Sequence, residues 1–116
     1  MPKKSLGQHW LFDEVSLNAM IAAGEITEND IVVEVGPGLG PLTQKLCQTA
    51  KKVIAVELDD TLVANLQQNT SKLHKEAGFS EQVANLEVVH QSILDFDTST
   101  LPSNYKVIAN IPYYLT

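Results

Sequence analysis

The chain has 116 residues, 14 Asp and Glu against 8 Lys, no Arg, and a formal net charge of −6. That length allows one domain with a single modest core, and the acidic balance argues against a free-standing nucleic-acid binder, because phosphate contacts need Lys and Arg. A lone cysteine, Cys47, excludes an internal disulfide and a Cys-based zinc site, and no metal is expected.

Residues 1–13 read as an irregular lead-in carrying Gly7, Trp10 and Phe12. It lacks the apolar core of a signal peptide, and no apolar run approaches the roughly 20 residues of a membrane span. A cytoplasmic protein is the expectation. Asp13 caps a helix from Glu14 to about Ala23, with Val15, Leu17, Met20 and Ile21 as apolar positions and Gly24 as its stop. Thr27 to Asp30 is a turn cluster.

Ile31 to Val35 is a β-branched run without alternation, the pattern of a strand buried on both faces. A glycine-rich stretch, Gly36 to Gly40, leads into a helix running to about Ala50. Val53 to Val56 is a second buried strand. Asp59 caps a helix in which Leu62, Val63, Leu66 and Leu73 keep helical spacing, and Gly78 ends it. Leu86 to Val89 and Tyr105 to Ala109 are third and fourth strands, and Pro112 cannot continue the last one as a central strand. Strands alternating with helices predict βαβ units, hence an α/β fold with a parallel, doubly wound, Rossmann-like sheet.

The sharpest motif is Glu34-Val35-Gly36-Pro37-Gly38-Leu39-Gly40, placed between a strand and a helix. Without a Cβ, glycines let a ligand approach the backbone closely. Glu57 ends the second strand 21 positions after Gly36, near the spacing at which an acid accepts from a ribose diol. A dinucleotide site would usually show G-x-G-x-x-G/A, whereas position 41 is Pro. Glu34 also suits a pyrophosphate poorly. It suits the ammonium and sulfonium of S-adenosylmethionine, which carries no phosphate. The structural alternative is a tight strand–helix turn with Glu57 as a solvated strand end.

After the third strand, Ser92 is placed to hydrogen-bond the adenine and Ile93 to pack on its face or to join the core. Asp95 and Asp97 read as a solvated face or a cap. Asn110-Ile111-Pro112-Tyr113 follows the fourth strand, at the sheet edge where ligands bind in open α/β folds. An exocyclic base amine is a poor nucleophile because its lone pair is conjugated. The Asn110 amide oxygen and a carbonyl near Ile111 would accept its N–H bonds and orient that lone pair. Pro112 fixes the backbone, and Tyr113 would stack on the base, worth about 1–3 kcal/mol.

With Lys4 to Leu11, Glu34 to Thr43, Val56 to Asp59 and Asn110 to Tyr113, the sequence resembles the KsgA-type small-subunit ribosomal RNA adenine dimethyltransferases. That family shares its pattern with the large-subunit rRNA adenine methylases of antibiotic resistance, the near alternative. The resemblance implies an S-adenosylmethionine-dependent enzyme acting on small-subunit rRNA. It implies donor contacts at Gln8, His9 and Leu11, at Glu34, Gly36 and Gly38, at Glu57, at Ser92 and Ile93, and at Asn110. Asn110 and Tyr113 would be the catalytic pair.

Two positions depart from the family: His9 stands where Asn is usual, and Gln91-Ser92 where Gly-Asp is usual. Family members are more than twice as long, so the chain reads as the N-terminal, donor-binding half of such an enzyme, lacking further strands and a helical domain. RNA attraction would then fall mostly to the missing part, and an uncovered strand edge invites pairing between copies. A non-catalytic binding or assembly module that keeps the fold is the second reading. A nicotinamide oxidoreductase is disfavoured by Pro41 and the Asn-Ile-Pro-Tyr.

Overall fold

The computed structural model describes residues 13–80 and 82–109. The lead-in residues Gln8, His9 and Leu11, and the terminal Asn110 and Tyr113, lie outside the described residues.

Helix α1 spans Glu14–Ala23, and Asp13 caps it by accepting from the Val15 N–H at 3.0 Å. The helix ends as predicted, but by another device. Gly24 stays right-handed at φ −81°, and the left-handed residue is Glu25 at φ +52°. The Glu25 N–H bonds Ala22 and the Ile26 N–H bonds Ile21, the paired pattern that closes a helix when the residue past its cap turns left-handed. Ile26 is thereby folded into the core.

Strand β1 is Ile31–Val35, helix α2 Pro41–Thr49, and strand β2 Lys52–Glu57. Pro41 opens α2, where its fixed φ suits the first helical turn and its missing N–H costs nothing. Helix α3 is Asp60–Glu76, capped by Asp59 through the Leu62 N–H at 3.0 Å. Its buried stripe is Leu66, Thr70 and His74; of the predicted apolar positions only Leu66 is fully buried. Thr70 is tolerated there because its hydroxyl donates to the Leu66 carbonyl at 2.7 Å. The His74 ring stacks on Phe79 at 4.8 Å. Strand β3 is Leu86–His90, a 3₁₀ turn covers Ile93–Asp95, and strand β4 is Lys106–Ala109.

All pairings are parallel, in the order β3-β2-β1-β4. One face packs Val32 and Val53 against Leu17 of α1 and Leu42, Leu46 and Cys47 of α2. Val33, Ile54 and Val56 fill the other, covered by Phe96, Leu101 and Tyr105 of the β3–β4 connection. Within the described residues, then, that second face is covered by an irregular connection where a doubly wound layout calls for helices. Because β2 and β4 flank β1 on opposite sides, the carboxyl end of β1 is a topological switch point, where α/β sheets bind ligands. Among the described residues no helix is long and apolar enough to cross a membrane.

Candidate donor-binding site

The loop after β1 is built from three left-handed glycines: Gly36 at φ +68°, Gly38 at +62° and Gly40 at +96°. Two of them serve different ends. A Cβ on Gly38 would meet nothing within 4 Å, so the space over that residue is open to a ligand. A Cβ on Gly40 would stand 2.8 Å from Thr70 Oγ1 and 3.1 Å from Leu66 Cδ1. Gly40 is therefore what lets the loop close onto α3. The Gly36 N–H bonds the Val56 carbonyl and carries the β1–β2 ladder one step into the loop.

Glu57 reaches this loop from the end of β2. Its Oε1 accepts from the Gly38 N–H at 3.3 Å, and its Oε2 from the Asp59 N–H at 2.9 Å. Glu57 as a whole is 8% exposed. Each oxygen has one donor, so lone pairs remain on both for a diol. The carboxylate is held in place before any ligand arrives, and this anchoring sets it apart from a solvated strand end.

Glu34 is on the same sheet face as Val32, beneath α2, and is 0% exposed. The Thr43 hydroxyl, in the first turn of α2, donates to its Oε1, while Oε2 has no hydrogen-bond partner among the described residues. Burial pushes the carboxyl up to about 8, the Thr43 bond works against that, and the Glu57 charge adds to it. Thr43 is a site residue that the sequence reading missed. The available signal was a hydroxyl in the first turn of the helix after the loop, on a face otherwise apolar.

Beside Glu57, the third strand brings up the remaining predicted residues. The Gln91 N–H bonds the Glu57 carbonyl. Ser92 caps the 3₁₀ turn, its Oγ accepting from the Leu94 N–H at 3.2 Å, which leaves the hydroxyl proton free to donate. Ile93 is 38% exposed and belongs to neither core cluster, so it is free to cover a ligand. Asp97 forms a local turn, accepting from the Ser99 N–H at 2.9 Å; the Ser99 hydroxyl first, and then this N–H, hold its carboxyl below the usual range. A second unanticipated tie lies here: His90 Nε2 stands 2.7 Å from Asp60 Oδ1 and 3.2 Å from the Leu58 carbonyl, pinning the β2–α3 corner that supplies the Asp59 N–H.

The structure thus gathers Glu34, Gly36, Gly38, Glu57, Ser92 and Ile93 along the carboxyl edge of β1, β2 and β3. Such a sheet, with a glycine loop after β1 and an anchored acid after β2, defines the Rossmann-like methyltransferase fold. The chain belongs to the ribosomal RNA adenine dimethylase family, whose model matches residues 2–116. The ribosomal RNA small subunit methyltransferase A of Ligilactobacillus salivarius is 41% identical over 121 residues, covering 98% of this chain and 38% of that protein. A dimethyladenosine transferase from Plasmodium falciparum superposes with a TM-score of 0.65 at 32% identity, over 90% of this chain and 34% of that one. The 23S rRNA methyltransferase ErmE superposes with a TM-score of 0.66 at 26% identity, over 84% and 35%. The chain therefore spans well under half the length of these relatives.

Proposed function

We propose that the chain is the donor-binding part of an S-adenosylmethionine-dependent methyltransferase that dimethylates the exocyclic amine of adenines in small-subunit rRNA. The observation that carries the reading is the anchored Glu57 carboxylate facing the open backbone at Gly38. Small-subunit relatives at 41% identity favour the small-subunit substrate over the large-subunit alternative. The donor supplies an electrophilic methyl on a sulfonium. Glu57 accepts from the ribose hydroxyls, the Gly36–Gly38 backbone lies against the amino-acid end, and Ser92 and Ile93 flank the adenine. Gln8, His9 and Leu11 complete the donor pocket in this reading. Asn110 and Tyr113 orient the target base, so that its amine attacks the methyl, the carbon–sulfur bond breaks, and the ammonium proton leaves to water. Positioning of this kind is worth roughly 7–11 kcal/mol when the geometry is good.

Equilibrium dialysis tests the donor assignment. The chain should retain S-adenosylmethionine and not NAD; retention of NAD alone would defeat the reading. The RNA assignment is tested with the longer enzyme and small subunits lacking the modification, where dimethyladenine should appear in the hydrolysed rRNA. We further propose that copies pair through β4, one of the two edge strands of the described sheet, where Val107 is exposed. Sedimentation should then show a concentration-dependent dimer that Val107→Lys abolishes.

A further inference from the structure

Glu34 has an incomplete set of partners. An ionised carboxylate presents about four lone-pair sites. Among the described residues, this fully buried carboxyl has one donor, Thr43, on Oε1 and none on Oε2. Burying a charge with so few partners is costly, and such a group keeps its proton instead.

The surroundings act the same way. From β2, Glu57 adds a like charge; from α2 comes Cys47, whose thiol burial and Glu34 push up to about 12. The neighbours in register are Ala55 of β2 and Ile108 of β4, and α1 presents Leu17, Met20 and Ile21 to this face. None of these is a cation. A ligand bringing positive charge to the loop would therefore supply what the described residues around Glu34 do not.

We propose that Glu34 holds a proton in the free protein and releases it when the cationic donor occupies the glycine loop, with Thr43 as the positioning residue that keeps Oε1 engaged in both states. This rests on the donor assignment above. The bond that breaks is the carboxyl O–H; the proton goes to solvent, and the donor's charge compensates the carboxylate across a low-dielectric gap. Affinity for the donor then rises with pH, by up to about tenfold per unit, until Glu34 is ionised in the free protein as well. The demethylated product has no sulfonium, so it drives less proton release, and the site favours the charged donor over the neutral product increasingly as pH rises.

The decisive measurement is calorimetric titration at pH 6.5 in buffers of different ionisation enthalpy. The donor's own α-amino group titrates near 8, so the readout is the difference between wild type and Glu34→Gln. Wild type should release close to one proton per donor bound and Glu34→Gln none, with S-adenosylhomocysteine releasing less than the donor. Donor binding with the same buffer-independent heat in both proteins would overturn the proposal. If neither protein binds donor, the donor assignment itself fails. Carbon-13 NMR titration of the Glu34 carboxyl in the free wild-type protein judges the proton separately. A midpoint well above the glutamate range, moved higher still by Thr43→Val, supports the stored proton; a midpoint near 4.5 overturns it.

Discussion

At the scale of residues, Glu57 and Glu34 sit one strand apart in opposite situations. Glu57 receives a backbone N–H on each oxygen, whereas Glu34 receives a single hydroxyl and is sealed from water. On the proposals above, the first accepts from the donor's ribose, and the second keeps its proton until a cation arrives. In the proposed site, Ser92 would be a weaker partner for the adenine amine than a carboxylate. Asp caps a helical turn as well as Ser does, so Ser92→Asp should leave the fold unchanged and add a charge-assisted acceptor. Calorimetry should show donor affinity raised by roughly tenfold, the scale of a hydrogen bond to a charged group.

Glu25 is a second residue-scale case. Left-handed backbone costs a non-glycine residue about 1–2 kcal/mol. It is held at φ +52° while Lys106 Nζ donates to its carbonyl at 2.6 Å and pairs with Asp30 at 3.0 Å. Urea denaturation of Glu25→Gly should show stabilisation of about 1 kcal/mol.

At the scale of elements, most boundaries were legible. Continuous β-branched runs marked β1 and β2, and Asp13 and Asp59 marked helix starts, because those signals are local. The stop of α1 at Gly24 was legible, but not the device that makes it. Sequence names the glycine, whereas the backbone turns left-handed at Glu25, where Ile26 must enter the core and Lys106 of a distant strand holds the carbonyl. The stripe of α3 was misread for a related reason. Thr70 and His74 are polar by type, yet the Thr70 hydroxyl is satisfied by the Leu66 carbonyl and the His74 ring packs on Phe79. In the site, the loop and Glu57 were legible from spacing. Thr43 and the His90–Asp60 tie depend on which residues the sheet brings side by side. Gly40 joins these elements, because a Cβ there would run into Thr70 and Leu66. Gly40→Ala combines a strained φ with overpacking and should destabilise by about 2–4 kcal/mol in urea unfolding.

At the scale of the whole molecule, the buried carboxyl makes stability depend on pH. Glu34 has its folded value near 8 against an ordinary 4.5. Between these values the folded state holds a proton that the unfolded chain lacks. Stability from this group is complete below pH 4.5 and is lost as pH rises through 8, at up to about 1.4 kcal/mol per unit. Asp30, whose carboxyl is lowered by the Thr27 N–H and Lys106, acts oppositely and loses its contribution in acid. Unfolding free energies should fall between pH 5.5 and 8 in wild type and stay flatter in Glu34→Gln.

The net charge of −6 fits the same picture. A surface without Arg is poorly suited to hold rRNA phosphates, while carboxyls at the β1–β2 edge suit a cationic donor. The central claim is that the Glu57 carboxylate, anchored to the glycine loop, binds the ribose of S-adenosylmethionine. Calorimetric titration of the donor into wild type and Glu57→Ala tests it most directly. Saturable one-to-one binding is expected in wild type, weakened roughly 10- to 100-fold in Glu57→Ala by the loss of hydrogen bonds to a charged acceptor. Equal affinity in the two proteins would contradict it.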